Sequence, residues 1–300
     1  NCSKKSSEDK NMGEIFKNIP TKADKTFEPF DKTEWAEMKQ IEREYAFATI
    51  EETLENIKSS PEDYRNFLDV MSKFEKYSTG NILLIANQMP EATKLMDSKA
   101  ISKTEGFVLK GERGIVLLEP GEEFKRKDGT TGVNFKTKKV FDISQTSLED
   151  NSNGHKYENR MLLKALINNA PCRFEIVPEL DNGMYARYDP KSKMVYIKEN
   201  LKAEDIFRAL SQEISFAHLH KSGKDRGSNV FTAYSCAYVI CQKYGFDVSN
   251  FNFSKLPDDF KDMENKDIRK ELDKVRNIVN EITGDMARAF EKQKADREAR

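Results

Sequence analysis

The sequence predicts an α+β protein built as two domains, and three observations carry that expectation. Apolar residues recur at helical spacing, as in Tyr64, Phe67, Leu68, Met71 and Phe74, and again in Ile206, Phe207, Leu210, Ile214 and Ala217. Short β-rich runs lie between such segments, punctuated by Gly111, Gly114 and Gly121 and by Asp189-Pro190. A polar, turn-rich stretch at 147–155 (SLEDNSNGH) separates the two mixtures and marks the domain boundary.

Each element follows in order. Residues 1–33 show no periodic apolar face and are expected to be a disordered arm. The first domain is placed at 34–150, the second at 151–255, and a charged C-terminal helix at 256–300. A helix from Thr33 to about Lys58 carries Trp35, Met38, Ile41, Tyr45 and Ile50. Ser60-Pro61 is a start signal for the next helix, because a serine side chain caps free N–H groups and proline suits a first turn. That helix stops near Gly80, and Asn81–Gln88 is expected to be a short helix ended by Pro90. Strands are expected at Phe107–Leu109, Ile115–Leu118 and Val140–Ile143. Phe124–Lys127 and Val133–Lys139 flank Asp128-Gly129 as a hairpin with a longer connection than the two-residue type.

The second half reads as a helix at Tyr157–Ile167, strands at Arg173–Val177, Met184–Tyr188 and Met194–Ile197, then helices at Ala203–His220 and Asn229–Tyr244, the last stopped by Gly245. Ile268, Leu272, Val275, Val279, Ile282, Met286 and Ala289 form a narrow seam within 264–294. Such a seam asks for a partner helix, either in the same chain or by self-association.

Composition bounds the function. Fifty Lys+Arg against 51 Asp+Glu give a net charge of −1, so no global basic field draws the chain to nucleic acid or anionic lipid. Any such binding must come from a local patch. No apolar run reaches the roughly 18 residues of a membrane span, and the first 30 residues lack the apolar stretch of a signal peptide. The expectation is a cytoplasmic protein with no membrane partner. Cys2, Cys172, Cys236 and Cys241 are too few and too scattered for a disulfide framework and read as thiols. Cys236 and Cys241, five apart on a helix, read as core.

The most informative segment is Ser211-Gln212-Glu213-Ile214-Ser215-Phe216-Ala217-His218-Leu219-His220. In the zinc motif HExxH, histidines at i and i+4 share a helix face and hold the metal, while the adjacent glutamate activates the bound water. Gln212 and Phe216 stand at the two ligand positions and only Glu213 survives. A lone carboxylate has no Lewis acid to lower the pKa of water. His218 and His220 are two apart on a helix, about 200° around the axis, and cannot jointly bind one ion. No metal and no cofactor are expected.

From Tyr64 to the mid-250s the chain resembles the ArdC-like proteins of plasmids and conjugative elements, including the LtrC-like group. The first half is similar to their single-stranded-DNA-binding domain through Phe67-Leu68-Asp69, Tyr77-Ser78, Asn81, Leu84-Ile85, Gln88, Pro90, Ala92-Thr93, Lys110-Gly111-Glu112, Gly114-Ile115, Pro120 and Phe141-Asp142-Ile143-Ser144-Gln145-Thr146. Ile101, Gly106 and Phe107 depart from the Trp and Arg-His pair that the family has before its KGE turn. The second half resembles the family's zincin-like metallopeptidase domain, HELAHALLH followed by EAESxAYxVCQxFGLD, through Gln212–His220 and Thr232–Asp247. The family's helix-borne glutamates fall on Thr232 and Tyr234. The resemblance therefore implies metallopeptidase topology without the metal site, and Phe216 and Tyr234 are expected to touch and plug the place of the ion.

A local basic patch lies on the hairpin: Lys125, Arg126, Lys127, Lys136, Lys138 and Lys139, with Phe124 and Phe135 among them. Cations for phosphates and rings for bases are the general recipe for single-strand binding. By charge alone the hairpin reads as a solvated face; the resemblance turns the reading toward DNA. Tyr77 and Asn81 either hold a base or cap a helix end. Lys110 and Arg113 belong to a turn that is either phosphate-facing or simply a hairpin turn. The function expected is non-enzymatic single-stranded-DNA binding for a mobile element, with antirestriction activity implied by the resemblance. A pseudoenzyme scaffold or inhibitor with a protein partner is the alternative, and an active zinc peptidase the third reading.

Overall fold

The computed structural model describes residues 31–150, 157–220 and 226–298. The disordered arm expected at 1–33 lies almost wholly outside the described residues, as does most of the boundary stretch at 147–155. The chain divides into two units, residues 1–41 and 42–300. Of the first, the opening turns of helix α1 (Lys32–Ser59) are described, with Asp31 accepting the Thr33 N–H at 2.7 Å as an N-terminal cap.

In the larger unit, the rest of α1 precedes α2 (Pro61–Phe74) and α3 (Thr79–Gln88). Ser60 accepts the Asp63 N–H at 3.1 Å, and the expected stripe from Tyr64 to Phe74 is buried. β1 (Leu95–Asp97), α4 (Ser98–Lys103), β2 (Ile115–Lys125) and β3 (Thr131–Asp142) follow, the strands forming an antiparallel sheet in the order β1-β3-β2. Ile115–Leu118 and Phe124–Lys127, expected as separate strands, form one strand with a register shift between Pro120 and Glu123. Phe107–Leu109 contributes only a bridge from Val108 to Thr146, and Val140–Ile143 is the end of β3.

Asp142 ties this sheet to the preceding loop. Its carboxylate accepts from the Thr93, Lys94 and Ser144 N–H groups at 2.6, 2.8 and 3.0 Å. Burial pushes the carboxyl up, but the Lys94, Thr93 and Ser144 donors together outweigh it and hold it below its ordinary value.

The second half carries α5 (Asn159–Asn168), then β4 (Arg173–Val177), β5 (Ala186–Asp189) and β6 (Met194–Lys198). β6 is central, parallel to β4 and antiparallel to β5, so β5 is an edge strand. α6 (Ala203–His220) packs on β5 and β6, α7 (Val230–Lys243) packs on α6 and on α2, and Gly245 takes the left-handed φ of 75° that ends α7. α8 (Asn265–Glu298) closes the core against α5 and α7. Its seam residues Ile268, Leu272, Val275, Val279, Ile282 and Met286 are all buried. The partner for that seam is therefore in the same chain, and the expected self-association through 264–294 loses its apolar face.

One buried apolar cluster runs from Ala46 to Ala289 and includes residues of both halves. Cys236 and Cys241 belong to it as free thiols, and burial pushes the Cys241 thiol up to about 12. No helix among the described residues is long and apolar enough to cross a membrane.

Candidate functional site

The cleft beside α6 is where a metal motif would operate. α6 is fixed by its apolar face, with Phe207, Leu210 and Ile214 in the core, and its Ser211 and Ser215 hydroxyls donate back to the carbonyls of Phe207 and Ser211 at 2.8 and 2.7 Å. That orientation buries Glu213 and Phe216 and leaves Gln212 half-buried. The Glu213 carboxylate accepts three charge-relevant donors. The Tyr188 N–H on edge strand β5 reaches Oε2 at 2.6 Å, Arg226 Nη1 reaches Oε2 at 2.8 Å, and Arg226 Nη2 reaches Oε1 at 2.6 Å. The Arg226 guanidinium carbon stands 3.8 Å from the centroid of the Phe216 ring. A cleft of about 400 Å³ opens alongside, lined by Tyr185, Arg208, Gln212, Arg226, Tyr234 and Phe251 among others.

The expected contact between Phe216 and Tyr234 is replaced by two separate packings. Phe216 lies under Arg226, whereas Tyr234 packs against Phe251 and Phe253 at 5.0 and 5.3 Å and its hydroxyl accepts the Asn252 N–H at 2.6 Å. The reason is electrostatic: a buried carboxylate needs a counter-ion, and the guanidinium that supplies it takes the ring face. The Glu213–Arg226 ion pair, and not a Phe216–Tyr234 contact, covers the Phe216 ring.

His218 and His220 diverge as their spacing requires. His218 Nδ1 lies 3.1 Å from Glu281 Oε2 on α8, and the His220 ring sits 6.1 Å from that of Tyr188. Among the described residues no group of three or more His, Cys, Asp or Glu is placed to hold a metal ion. Gln212, Phe216 and an arginine-bound Glu213 do not fit a divalent metal, because the Glu213 carboxylate is already paired with a cation and neither ligand position of the motif carries an imidazole.

The basic hairpin is the second candidate. The strands 115–142 carry six cations and also Glu119, Glu122, Glu123, Asp128 and Asp142, so the ribbon is close to neutral. Lys138 is paired with Glu119 and Asp97 at 2.9 and 3.1 Å, and Lys139 with Glu42 at 2.8 Å. Lys125, Arg126, Lys127 and Lys136 have no carboxylate partner among the described residues, Arg126 bonding only Thr130 and Thr131 oxygens.

The pleat splits the patch, since neighbouring strand residues point to opposite faces. Phe135 shares one face with Lys139 and, across the pair, Lys125; Lys136 and Lys138 share the other with Phe124, which opposes Gly132. Both rings are exposed. The Arg126 guanidinium lies 6.0 Å from the Phe124 centroid, and a side chain at Gly132 would collide with that ring. Phe135 meets Phe47 of α1 edge-to-face at 5.9 Å, with Arg43 Nη1 donating to the Phe135 carbonyl at 3.5 Å.

Asn81 serves neither a base nor a helix end. Its amide donates to the Leu118 carbonyl and accepts the Leu118 N–H, both at 2.9 Å, while Gln88 repeats the pattern on Val116 at 3.0 and 2.9 Å. Helix α3 thus presents two carboxamides to the outer edge of β2 in place of a neighbouring strand. Tyr77 is half-buried against Phe74, and its carbonyl accepts from Arg276 Nε. Lys110 and Arg113 are exposed on the 109–114 turn, where Gly111 takes φ 94° and the Arg113 carbonyl accepts from the Gln145 amide at 2.9 Å.

Sequence reasoning missed Arg226, Phe47 and Arg43. The one signal that could have found Arg226 is that a buried glutamate needs a cation nearby, and the segment after α6 carries Lys221, Lys224 and Arg226. No comparable signal marks Phe47, whose relation to β3 is purely tertiary.

No protein-family profile matches the chain, and none of the curated proteins is similar to it. Among solved structures, it is similar to the metal-free antirestriction ArdC protein of the R388 plasmid, with a TM-score of 0.50 and 18% identity over 71% of this chain and 86% of that one. The Mn(II)-bound form of the same protein gives a TM-score of 0.48 and 16% identity over 74% and 98%. The ArdC-like resemblance of the residues is matched by the backbone: this chain has an ArdC-like fold.

Proposed function

We propose that this chain is a non-enzymatic, ArdC-like antirestriction protein that binds single-stranded DNA of a plasmid or conjugative element. The observation that carries the reading is the hairpin surface. Phe124 and Phe135 are exposed on opposite faces of the ribbon, Phe135 buttressed by Phe47 and sharing its face with Lys125, Phe124 lying beside Arg126 and sharing its face with Lys136, and none of these three cations has a carboxylate partner among the described residues. Stacking of a base on such a ring is worth about 1–3 kcal/mol, and the cations contact phosphates without reading sequence. The antirestriction part comes from the named function of the R388 protein with this fold. The chemistry proposed is recognition, in keeping with a Glu213 carboxylate that is paired with Arg226 and bonded to the Tyr188 N–H.

A fluorescence-anisotropy titration of a labelled oligothymidylate tests this. Micromolar binding at low salt that weakens on Phe135→Ala supports the reading. Undetectable binding at low salt refutes it.

The second reading is a pseudoenzyme scaffold that takes a protein segment in the α6 cleft. The open cleft lined by Tyr185, Tyr234 and Phe251 favours it. It predicts that Tyr185→Ala, and not Phe135→Ala, removes the biological effect on restriction in cells.

A further inference from the structure

The three residues that exclude a metal from the α6 cleft also make up a seat for another cation. Glu213 is buried, and its oxygens meet the two terminal nitrogens of Arg226 at 2.6 and 2.8 Å, the parallel fork in which guanidinium and carboxylate pair best. Phe216 is buried too, and the guanidinium carbon lies over its ring, 3.8 Å from the centroid. Gln212, one turn back on the same face, is neutral and lines the cleft beside Arg226.

We propose that Arg226 has taken over the seat of the divalent metal: a tethered guanidinium, clamped between Glu213 and the ring of Phe216, is the resident cation of this cleft. The proposal stands independently of DNA binding.

The chemistry of each position supports an exchange of cations over simple decay of a site. A buried carboxylate left alone is strongly destabilising, so a chain that loses its metal ligands and keeps Glu213 must supply a positive charge from elsewhere. Guanidinium is the side-chain cation best suited to that place. It is planar, weakly hydrated and always charged, so it stacks on a ring and forks a carboxylate together. Position 216, an i+4 ligand in the metal motif, carries the one residue class that gives a guanidinium a face to lie on. Glu213 retains an anchoring bond as well, from the Tyr188 N–H at 2.6 Å, which fixes the carboxylate against the β5 edge and sets the direction of the fork.

The experiment has two arms. In the first, metal donors are restored by Gln212→His, Phe216→His and Tyr234→Glu, once with Arg226 present and once with Arg226→Ala. Both proteins are equilibrated with Zn²⁺, freed of excess ion and assayed for metal by elemental analysis. One equivalent of zinc per chain is expected with Arg226→Ala and none with Arg226 in place. Equal zinc in both, or zinc in neither, overturns the proposal.

The second arm needs only the single variant Arg226→Ala, which is expected to fold with an empty seat and a lowered melting midpoint. Millimolar methylguanidinium is expected to raise that midpoint by about 2 °C and to leave the unsubstituted chain unchanged. An Arg226→Ala variant that melts like the unsubstituted chain, or that methylguanidinium does not stabilise, overturns it as well.

Discussion

Replacing Lys125, Lys127 and Lys136 together by alanine should lower both the affinity for single-stranded DNA and its dependence on salt, whereas replacing Lys138 and Lys139 should do little. The distinction rests on pairing: Lys138 faces Glu119 and Asp97, and Lys139 faces Glu42, so neither has a charge to offer a phosphate without losing a carboxylate. Among the described residues, four cations on the ribbon have no carboxylate partner, counting Arg126. For single strands each neutralised phosphate contributes about −0.7 to the slope of log affinity against log salt, which gives about −3 for four contacts. Between 50 and 200 mM salt the intact chain should therefore lose roughly 50-fold in affinity, and the triple variant only about threefold. Anisotropy titrations across that range measure both slopes, with thermal melts as a control for folding. The reasoning fails if Lys138→Ala with Lys139→Ala flattens the salt dependence as much as the triple substitution.

Other expectations follow from the same contacts. Asn81→Ala removes both bonds to Leu118 and leaves a buried N–H and carbonyl without partners, a loss of about 2–4 kcal/mol readable as a lower urea midpoint. Asp142 has a folded pKa below its unfolded value, so its donors stabilise the fold above the ordinary carboxylate pKa and this contribution fades as pH falls through the depressed one. Asp142→Asn should thus cost stability near pH 7 and flatten the acid limb of a stability profile; an unchanged acid limb assigns that limb to other groups. Arg226→Ala, which strips a buried carboxylate of its counter-ion, should cost about 3 kcal/mol, and Glu213→Gln in addition should cost far less than it does alone. Strict additivity in the melts would mean that the pair is not coupled.

The elements most legible in the sequence are those with a strong local period or punctuation. Ala203–His220 and Arg173–Val177 lie where the pattern puts them, and Ser60-Pro61 starts α2 as expected. β1 was illegible because Leu95-Met96-Asp97 is too short to show alternation. β2 was split because Pro120-Gly121 reads as a turn. Pro120 has the same strand parity as Val116 and Leu118, whose amides point outward to Gln88 and Asn81, so its missing N–H removes nothing from the ladder with β3. In the cleft, Gln212 and Phe216 at the positions that histidines hold in HExxH were plain from motif spacing. The partner of Glu213 was not, because Arg226 lies beyond the helix and no periodicity points a loop residue at a carboxylate. The hairpin cations were legible as a cluster but not as a divided one, since their carboxylate partners Glu42 and Asp97 come from distant sequence.

The carboxamides that α3 lends to β2 have a bearing on how this protein coexists with many copies of itself. An extended ribbon with a bare rim invites a second ribbon to zip alongside, and from there fibrils grow. Asn81 and Gln88 occupy that rim near the base, and beyond it the backbone irregularity and the glutamates 119, 122 and 123 spoil further matching. The free edge left for another ribbon to pair with is thus shortened, and single changes at either carboxamide should be felt as a greater tendency to associate.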